Sequence, residues 1–275
     1  MKPAQVPREL VAALPRGGGA EWSHLSGLGA GAWLVRRPEG ADVVVRRASE
    51  TEERAARAAA EVAVGPVVLA SADGWLASEY LDGVRVTALE LSRPVWLAEL
   101  AALLRRLHSC DVDVAQAPMA DARRAYAASL GAGELTEPLR AAIDDADRLE
   151  RELSGAAPRL VPAHLDVVAN LLMTSGGLRL IDFEFAAAAD PARELGQVIW
   201  EAEIDGAGAR RLVDAYGSDG VGGYERAVAW SWVAGVTWTA WALSHGDGIV
   251  MRRYGLRSWE RLQSHWWRPT GEPAR

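Results

Sequence analysis

Asp166, Asn170 and Asp182 are the residues whose types and spacing suggest chemistry. An apolar approach (Leu160, Val161) leads into a His-x-Asp turn at His164 and Asp166, and Asn170 follows four positions later. A short apolar strand, 171–173, turns at Ser175-Gly176-Gly177, and a second strand, 178–181, runs directly into Asp182. Two apolar runs joined by a glycine turn predict a hairpin. Such a hairpin brings together three oxygen-bearing side chains that span 16 positions of chain. Oxygen donors of this kind suit a hard cation such as Mg²⁺, which takes few protein ligands and completes its shell with water and phosphate oxygens. Phosphoryl transfer uses this kind of set: one carboxylate at the attacking hydroxyl, with an amide and a second carboxylate holding metal on nucleotide phosphates. The alternative is a surface hairpin whose polar residues are solvated; the ordered set with a strand-ending Asp favours the chemical reading.

The segment His164-Leu165-Asp166-Val167-Val168-Ala169-Asn170, followed by Leu180-Ile181-Asp182-Phe183-Glu184-Phe185, resembles the aminoglycoside phosphotransferase and choline kinase superfamily, and within it the bacterial thiamine kinases. The resemblance implies an α+β, two-lobed protein-kinase-like fold. It implies a β-rich nucleotide-binding lobe over residues 1–84 and a larger, mainly helical catalytic lobe over 85–275. It assigns Asp166 as catalytic base, His164 as support of the catalytic loop, and Asn170 and Asp182 as Mg²⁺ ligands. ATP is the implied phosphoryl donor and a small-molecule hydroxyl the acceptor: thiamine, an amino alcohol or an antibiotic. One departure stands out. The family places five steps between base and Asn, and here there are four. A loop one residue short equally fits a member of the fold that binds nucleotide or ligand without transferring phosphate.

The elements that must position these residues are legible upstream. A short amphipathic helix over 7–14 ends at Pro15 and the Gly17-Gly18-Gly19 run. Gly27, Gly29 and Gly31 form a glycine-rich turn entering a strand, where backbone N–H groups can approach phosphate oxygens without an intervening side chain. The β-branched strand 42–47 carries Arg46, with Arg47 on its other face. Lys2 is the only lysine, so no Walker-type Gly-Lys-Ser/Thr loop exists and any interior cation facing phosphate is an arginine. The resemblance places Arg46 on the nucleotide phosphates, where arginine binds bidentately. Ser49 caps a helix over 49–62 with early glutamates; of Glu52 and Glu53, we expect Glu53 to pair with Arg46. The strand from Trp75 runs into the expected hinge, where backbone at Glu79 to Leu81 would meet adenine.

The remaining chain reads as helical. Leu97, Leu100, Leu104 and Leu107 recur at helical spacing, His108 closes that helix, and 120–154 is a charge-rich helical layer expected to be solvated. Asp190-Pro191 opens a further helix, in which Glu194 is expected to support the catalytic loop. Most of the 12 tryptophans lie in the last third. On a helix over 226–243, Trp230, Trp238 and Trp241 share one arc and could stack on a flat ring or a cation. Glu201, with Glu203 and Asp205, could supply charge for a cationic substrate. Core packing is the competing reading for these tryptophans.

Composition bounds the rest. At 275 residues, 49% apolar and 24% charged, the chain reads as globular. A net charge of -7 carries no nucleic-acid footprint. Cys110, the single cysteine, permits no internal disulfide and fits a reducing cytoplasm. No signal-peptide h-region and no membrane span are read. A monomer or a homodimer is expected.

Overall fold

The computed structural model describes residues 6–14, 20–25, 31–131, 136–156, 159–217, 222–245 and 248–264. Its first part is a five-stranded antiparallel sheet of β1 (Glu21–Leu25), β2 (Ala32–Arg36), β3 (Val43–Arg47), β4 (Val68–Ala72) and β5 (Trp75–Glu79), in the order β1-β2-β3-β5-β4. Alternation along β3 buries Val43 and Val45 on one face. There they join Val35, Trp75 and Ala77 under Val6, Leu10 and Leu14, contributed by and around α1 (Arg8–Ala13). Val43 lies opposite Glu79 and Arg46 opposite Leu76, so β5 fixes where β3 presents its arginine.

Between β3 and β4 runs α2 (Glu50–Glu61), which packs on the sheet through Ala55, Ala56 and Ala59. Beyond β5 the chain forms β6 (Gly83–Arg85), which pairs with the later strand β8. The expected boundary near residue 84 thus falls inside β6. Then come α3 (Ala88–Leu91) and α4 (Pro94–His108), whose leucines at 97, 100, 104 and 107 are all buried.

Two further helices, α5 (Met119–Ser129) and α6 (Glu137–Gly155), make up the charge-rich layer. It is less solvated than expected. Arg123 is fully buried and bridges Asp147 and Glu150 at 2.6 Å each, with Thr237 Oγ1 accepting a further bond at 2.9 Å. Burial of this guanidinium is tolerable because its charge and donors are met.

Strand β7 (Val161–Ala163) pairs with β10 (Ala187–Ala189), and the three-stranded sheet β6-β8-β9 contains β8 (Leu171–Thr174) and β9 (Gly177–Leu180). Among the described residues four helices follow: α7 (Pro191–Glu201), α8 (Gly206–Tyr216), α9 (Tyr224–Ser244) and α10 (Ile249–Gln263). Apolar on nearly all sides, α9 is buried among its neighbours, as an apolar helix must be. It crosses α7 closely. A Cβ on Gly196 would sit 2.6 Å from Trp230 Cβ, and one on Gly235 would sit 2.7 Å from the Trp200 ring. Among the described residues no helix is long and apolar enough to cross a membrane.

Candidate active site

The cation on β3 is held from α2. Ser49 caps α2, and its hydroxyl accepts from the Glu52 N–H while Glu52 Oε2 accepts from the Ser49 N–H, a reciprocal capping box. This turns the Glu52 side chain back toward β3, where its other oxygen pairs with Arg46 Nη1. Glu53, expected as the Arg46 partner, is not. One residue on means about 100° around the helix, and Glu53 instead binds Arg57 at 2.9 Å and the Ser71 hydroxyl. The Ser-x-x-Glu spacing of 49 and 52 was the signal that distinguishes them. Arg47, as expected, leaves on the other side and stacks over Trp75 at 4.6 Å.

The catalytic loop hangs on a buried frame. Glu194, the fourth residue of α7, is fully buried and accepts from the His164 N–H at 2.5 Å and the Leu165 N–H at 2.8 Å. Its second oxygen meets His108 Nε2 at 2.5 Å, and His108 Nδ1 meets the Tyr216 hydroxyl at 2.7 Å. Burial alone would raise the Glu194 carboxyl, but His108 and the backbone donors outweigh it and hold the group below the usual carboxylate range. His108, which has no marked role in the sequence reading, is therefore a member of the frame. Gln197, one turn along α7, donates to the Leu165 carbonyl at 3.0 Å. Leu165 is thereby kept in the left-handed region at φ 62, a conformation a non-glycine residue adopts only when its surroundings impose it.

His164 joins the loop to the metal hairpin. Its Nε2 donates to the Ile181 carbonyl at 2.9 Å, its Nδ1 accepts from the Asp166 N–H at 3.2 Å, and its ring packs on Phe183. These bonds fix the orientation of the ring between the loop and the hairpin. Despite the short loop, Asn170 reaches Asp166: its Nδ2 donates to the Asp166 carboxylate at 2.7 Å and to the Asp166 carbonyl at 3.0 Å. Arg85, on β6, donates to the Ala169 carbonyl within the same loop. Burial pushes the Asp166 carboxyl above its ordinary value, while His164 and the Asn170 amide offset part of the rise.

Asp182 follows β9 with φ 62, a second left-handed residue at the site. Its Oδ1 lies 3.4 Å from Arg46 Nη1. Asp166, Asn170, Asp182, Arg46 and Glu52 all line one cleft. Among the described residues no three His, Cys, Asp or Glu side chains cluster as a metal site. Mg²⁺ carried on nucleotide phosphates asks for less, one or two protein oxygens. Asn170 spends its Nδ2 on Asp166, which leaves Oδ1 as an oxygen donor, and Asp182 adds a carboxylate, a donor set that fits the ion.

At about 1510 Å³ the cleft exceeds an ordinary small-ligand pocket of roughly 300–1,000 Å³ and has room for two reactants. Its nucleotide side is only partly in view, because Gly27 and Gly29 lie outside the described residues. Leu25 and Ala32, flanking the glycine turn, line the cleft; Gly31 does not and abuts His24. Glu79 and Leu81 also lie off the lining. The N–H of Glu79 donates to Val67 and that of Tyr80 to Asp42, whereas the Leu81 N–H makes no backbone bond among the described residues.

Trp238, Trp241, Glu201 and Gln197 line the other end, with Tyr126 and Tyr254. Trp238 and Trp241 meet edge to face, centroids 5.4 Å apart. Glu201 sits beside Trp238, and its carboxyl is raised well above the usual range by burial first and by the Asp166 charge second. Trp230, expected with these residues, is a core side chain. It shares their arc but lies two turns earlier on α9, about 12 Å along the axis, where its Nε1 donates to Asp190 at 2.9 Å. Glu203 and Asp205 are likewise absent from the lining: Glu203 is exposed near Arg261 and Asp205 caps α8.

These features have counterparts in known proteins. The profile of the phosphotransferase enzyme family matches residues 14–230, and the chain belongs to that family. It is 37% identical over 158 residues to the thiamine kinase of Salmonella typhi, a match covering 56% of this chain and 52% of that protein. The chain thus spans about half the length of the curated relatives it matches. A choline/ethanolamine kinase family protein from Mesorhizobium loti superposes with a TM-score of 0.73 at 23% identity, over 96% of this chain and 94% of that one. Choline kinase LicA from Streptococcus pneumoniae does so with a TM-score of 0.71 at 16% identity, over 94% and 97%; LicA has also been solved in complex with AMP. These likenesses identify the fold as the two-lobed protein-kinase-like α+β fold.

Proposed function

We propose that the chain transfers the γ-phosphoryl group of ATP to a hydroxyl of a small molecule. The observation that carries this reading is the convergence of Asp166, Asn170, Asp182 and the Arg46–Glu52 pair on a single cleft. Residues 1–84 serve as the nucleotide lobe and 85–275 as the catalytic lobe. The glycine turn of Gly27, Gly29 and Gly31, whose flanking Leu25 and Ala32 line the cleft, admits the phosphates. Adenine extends past that lining to the backbone from Glu79 to Leu81, where the Leu81 N–H is the donor not spent on backbone among the described residues.

Arg46, positioned by Glu52, neutralises phosphate charge. Asn170 and Asp182 hold Mg²⁺, which when bound spreads the charge of the phosphate oxygens. Asp166 accepts the hydroxyl proton as the acceptor oxygen bonds to the γ-phosphorus and the bond to the β-phosphate oxygen breaks, releasing ADP. His164 and Glu194 keep Asp166 in place. The protein does little covalent work; placement and fixed charge lower the barrier. Trp238, Trp241 and Glu201 receive the acceptor. Thiamine, an amino alcohol and an antibiotic hydroxyl are the classes to try first, since the relatives' names include thiamine and choline kinases.

The test is ADP release from Mg·ATP over a panel of thiamine, choline, ethanolamine, sugars and aminoglycosides. An acceptor-dependent signal that disappears in Asp182→Ala supports the reading. The short loop, with Asn170 closed onto Asp166, favours a second reading, a nucleotide-binding member that does not transfer phosphate. Protection against heat by Mg·ATP with a flat panel supports that one.

A further inference from the structure

Buried polar atoms without partners are concentrated at the acceptor end of the cleft. Among the described residues, Arg193 Nε, Gln197 Oε1, Glu201 Oε1 and Trp238 Nε1 are buried without a well-formed bond, and all four residues line the cleft; Glu201 and Trp238 lie near enough to act on each other, which leaves Arg193 Nε and Gln197 Oε1 as the two atoms with nothing opposite. Three of them, at 193, 197 and 201, repeat every four residues and so share one face of α7. Buried polar atoms are normally paired, because an orphan forfeits its bonds to water without replacement. Their grouping points to a ligand.

Arg193 is the unusual member. Its Nη1 donates to the Ala117 carbonyl at 2.6 Å and its guanidinium lies over the Trp230 ring at 6.0 Å, which fixes the group, yet it makes no ion pair among the described residues. Glu150, Asp190 and Glu194 feel its charge but give their oxygens to Arg123, Arg226 and His108. Burial lowers its pKa to about 10, which leaves it a cation at neutral pH. Gln197 is similarly fixed, its Nε2 spent on Leu165, which leaves an amide oxygen as acceptor one turn away. A buried cation with an open donor, next to an open acceptor and a carboxyl, matches a ligand that carries both an oxyanion and an N–H donor.

We propose that the acceptor is a hydroxylated zwitterion, its carboxylate seated on Arg193 and its nitrogen donors facing Gln197 and Glu201. This rests on the assignment of the cleft as the phosphoryl-transfer site, and it sets the acceptor apart from a simple amino alcohol, which offers Arg193 nothing.

The experiment compares matched pairs in the ADP-release assay: L-serine against ethanolamine, L-homoserine against 3-amino-1-propanol, and L-threonine against 1-amino-2-propanol. The acid should be preferred in kcat/KM by about tenfold or more, the scale of one charge-assisted hydrogen bond. Arg193→Gln should abolish the preference by raising the acceptor KM while leaving the KM for ATP unchanged, and Arg193→Lys should restore part of it. Should the glutamine variant not fold, the wild-type pairs decide alone. Equal or better use of the amines overturns the inference and leaves the phosphoryl-transfer reading standing. If no compound releases ADP, heat protection in the presence of Mg·ATP decides: protection by the acids and not by the matched amines supports the inference, and protection by neither overturns it. Loss of ATP binding itself would instead count against the phosphoryl-transfer reading.

Discussion

Exchanging Glu52 and Glu53 separately for glutamine tests how α2 is coupled to the phosphate site. Glu52→Gln keeps the capping box, because the amide oxygen can still accept from the Ser49 N–H, and removes only the charge. The pair it breaks is largely enclosed: the Arg46 and Glu52 side chains are 16% and 6% exposed. Removing one partner of a fully buried pair costs about 3–5 kcal/mol, because the other charge is left without compensation. Arg46 retains Asp182 at 3.4 Å and some contact with solvent, so the loss should fall below that range, at about 2 kcal/mol. Glu53→Gln removes an i,i+4 pair on the helix surface, worth about 0.3–0.5 kcal/mol, and the amide can still bond Ser71. Urea unfolding followed by tryptophan fluorescence should therefore separate the variants several-fold. The functional split should be sharper. An Arg46 turned toward Asp182 competes with the cation site, so Glu52→Gln should raise the KM for ATP by about tenfold, one charge-assisted contact, while Glu53→Gln leaves it near wild type. Equal effects of the two substitutions on the KM for ATP would refute the coupling.

Asp166→Asn should leave folding and ATP binding largely intact and lower kcat by about 10²–10⁴-fold, the usual worth of a general base; near-normal turnover in an ADP-release assay would remove Asp166 from that role. Trp230→Ala should destabilise by about 3–5 kcal/mol, as for a large core side chain, whereas Trp238→Ala, at a side chain only partly buried against the core, should cost less in urea unfolding and raise the acceptor KM. Glu201 gives a pH signature. Its carboxyl binds a proton more tightly when folded than when unfolded, so its contribution is full below the ordinary value of 4.5 and is lost as pH rises through its raised folded value. Glu201→Gln should flatten that decline in thermal unfolding scans from pH 4.5 upward, and an unchanged slope would contradict the burial.

Local rules made much of the fold readable. Val43 to Arg47 announced a strand by β-branching, Ser49 announced the start of α2, and Leu97 to Leu107 announced α4 by period. The catalytic stretch was readable because turn glycines, strand lengths and the terminal Asp182 all agreed. The failures share a cause: a side chain's direction depends on what packs against its helix. Angular position put Trp230 with Trp238, but only the crossing of α7 at Gly196 shows that Trp230 meets Asp190 instead. Glu52 and Glu53 are the exception: the Ser-x-x-Glu spacing of 49 and 52 is a local signal, and it separates them. The buried charges of Arg123 and Arg193 were not readable, since a surface helix and one that buries an ion network have the same charge content.

The short catalytic loop illustrates how global packing overrides local length. Asp166 is not positioned by the residues between it and Asn170. Its direction is set upstream by Leu165, whose N–H and carbonyl are held from α7 by Glu194 and Gln197, and by His164, which is anchored to Ile181 just before Asp182. These anchors belong to elements whose own positions come from the core, including Leu180, Phe183 and Leu195. Removing one residue from the loop therefore changes the path to Asn170 without moving the frame, and Asn170 still reaches the Asp166 carboxylate at 2.7 Å. The same frame explains why α7 carries both the support and the acceptor contacts. Glu194 and one end of Gln197 face the loop, while the other end of Gln197 and Glu201 face the cleft. A shift of α7 large enough to admit a bulkier acceptor would pull on Leu165 and hence on Asp166, so acceptor fit and base position are mechanically linked through a single helix.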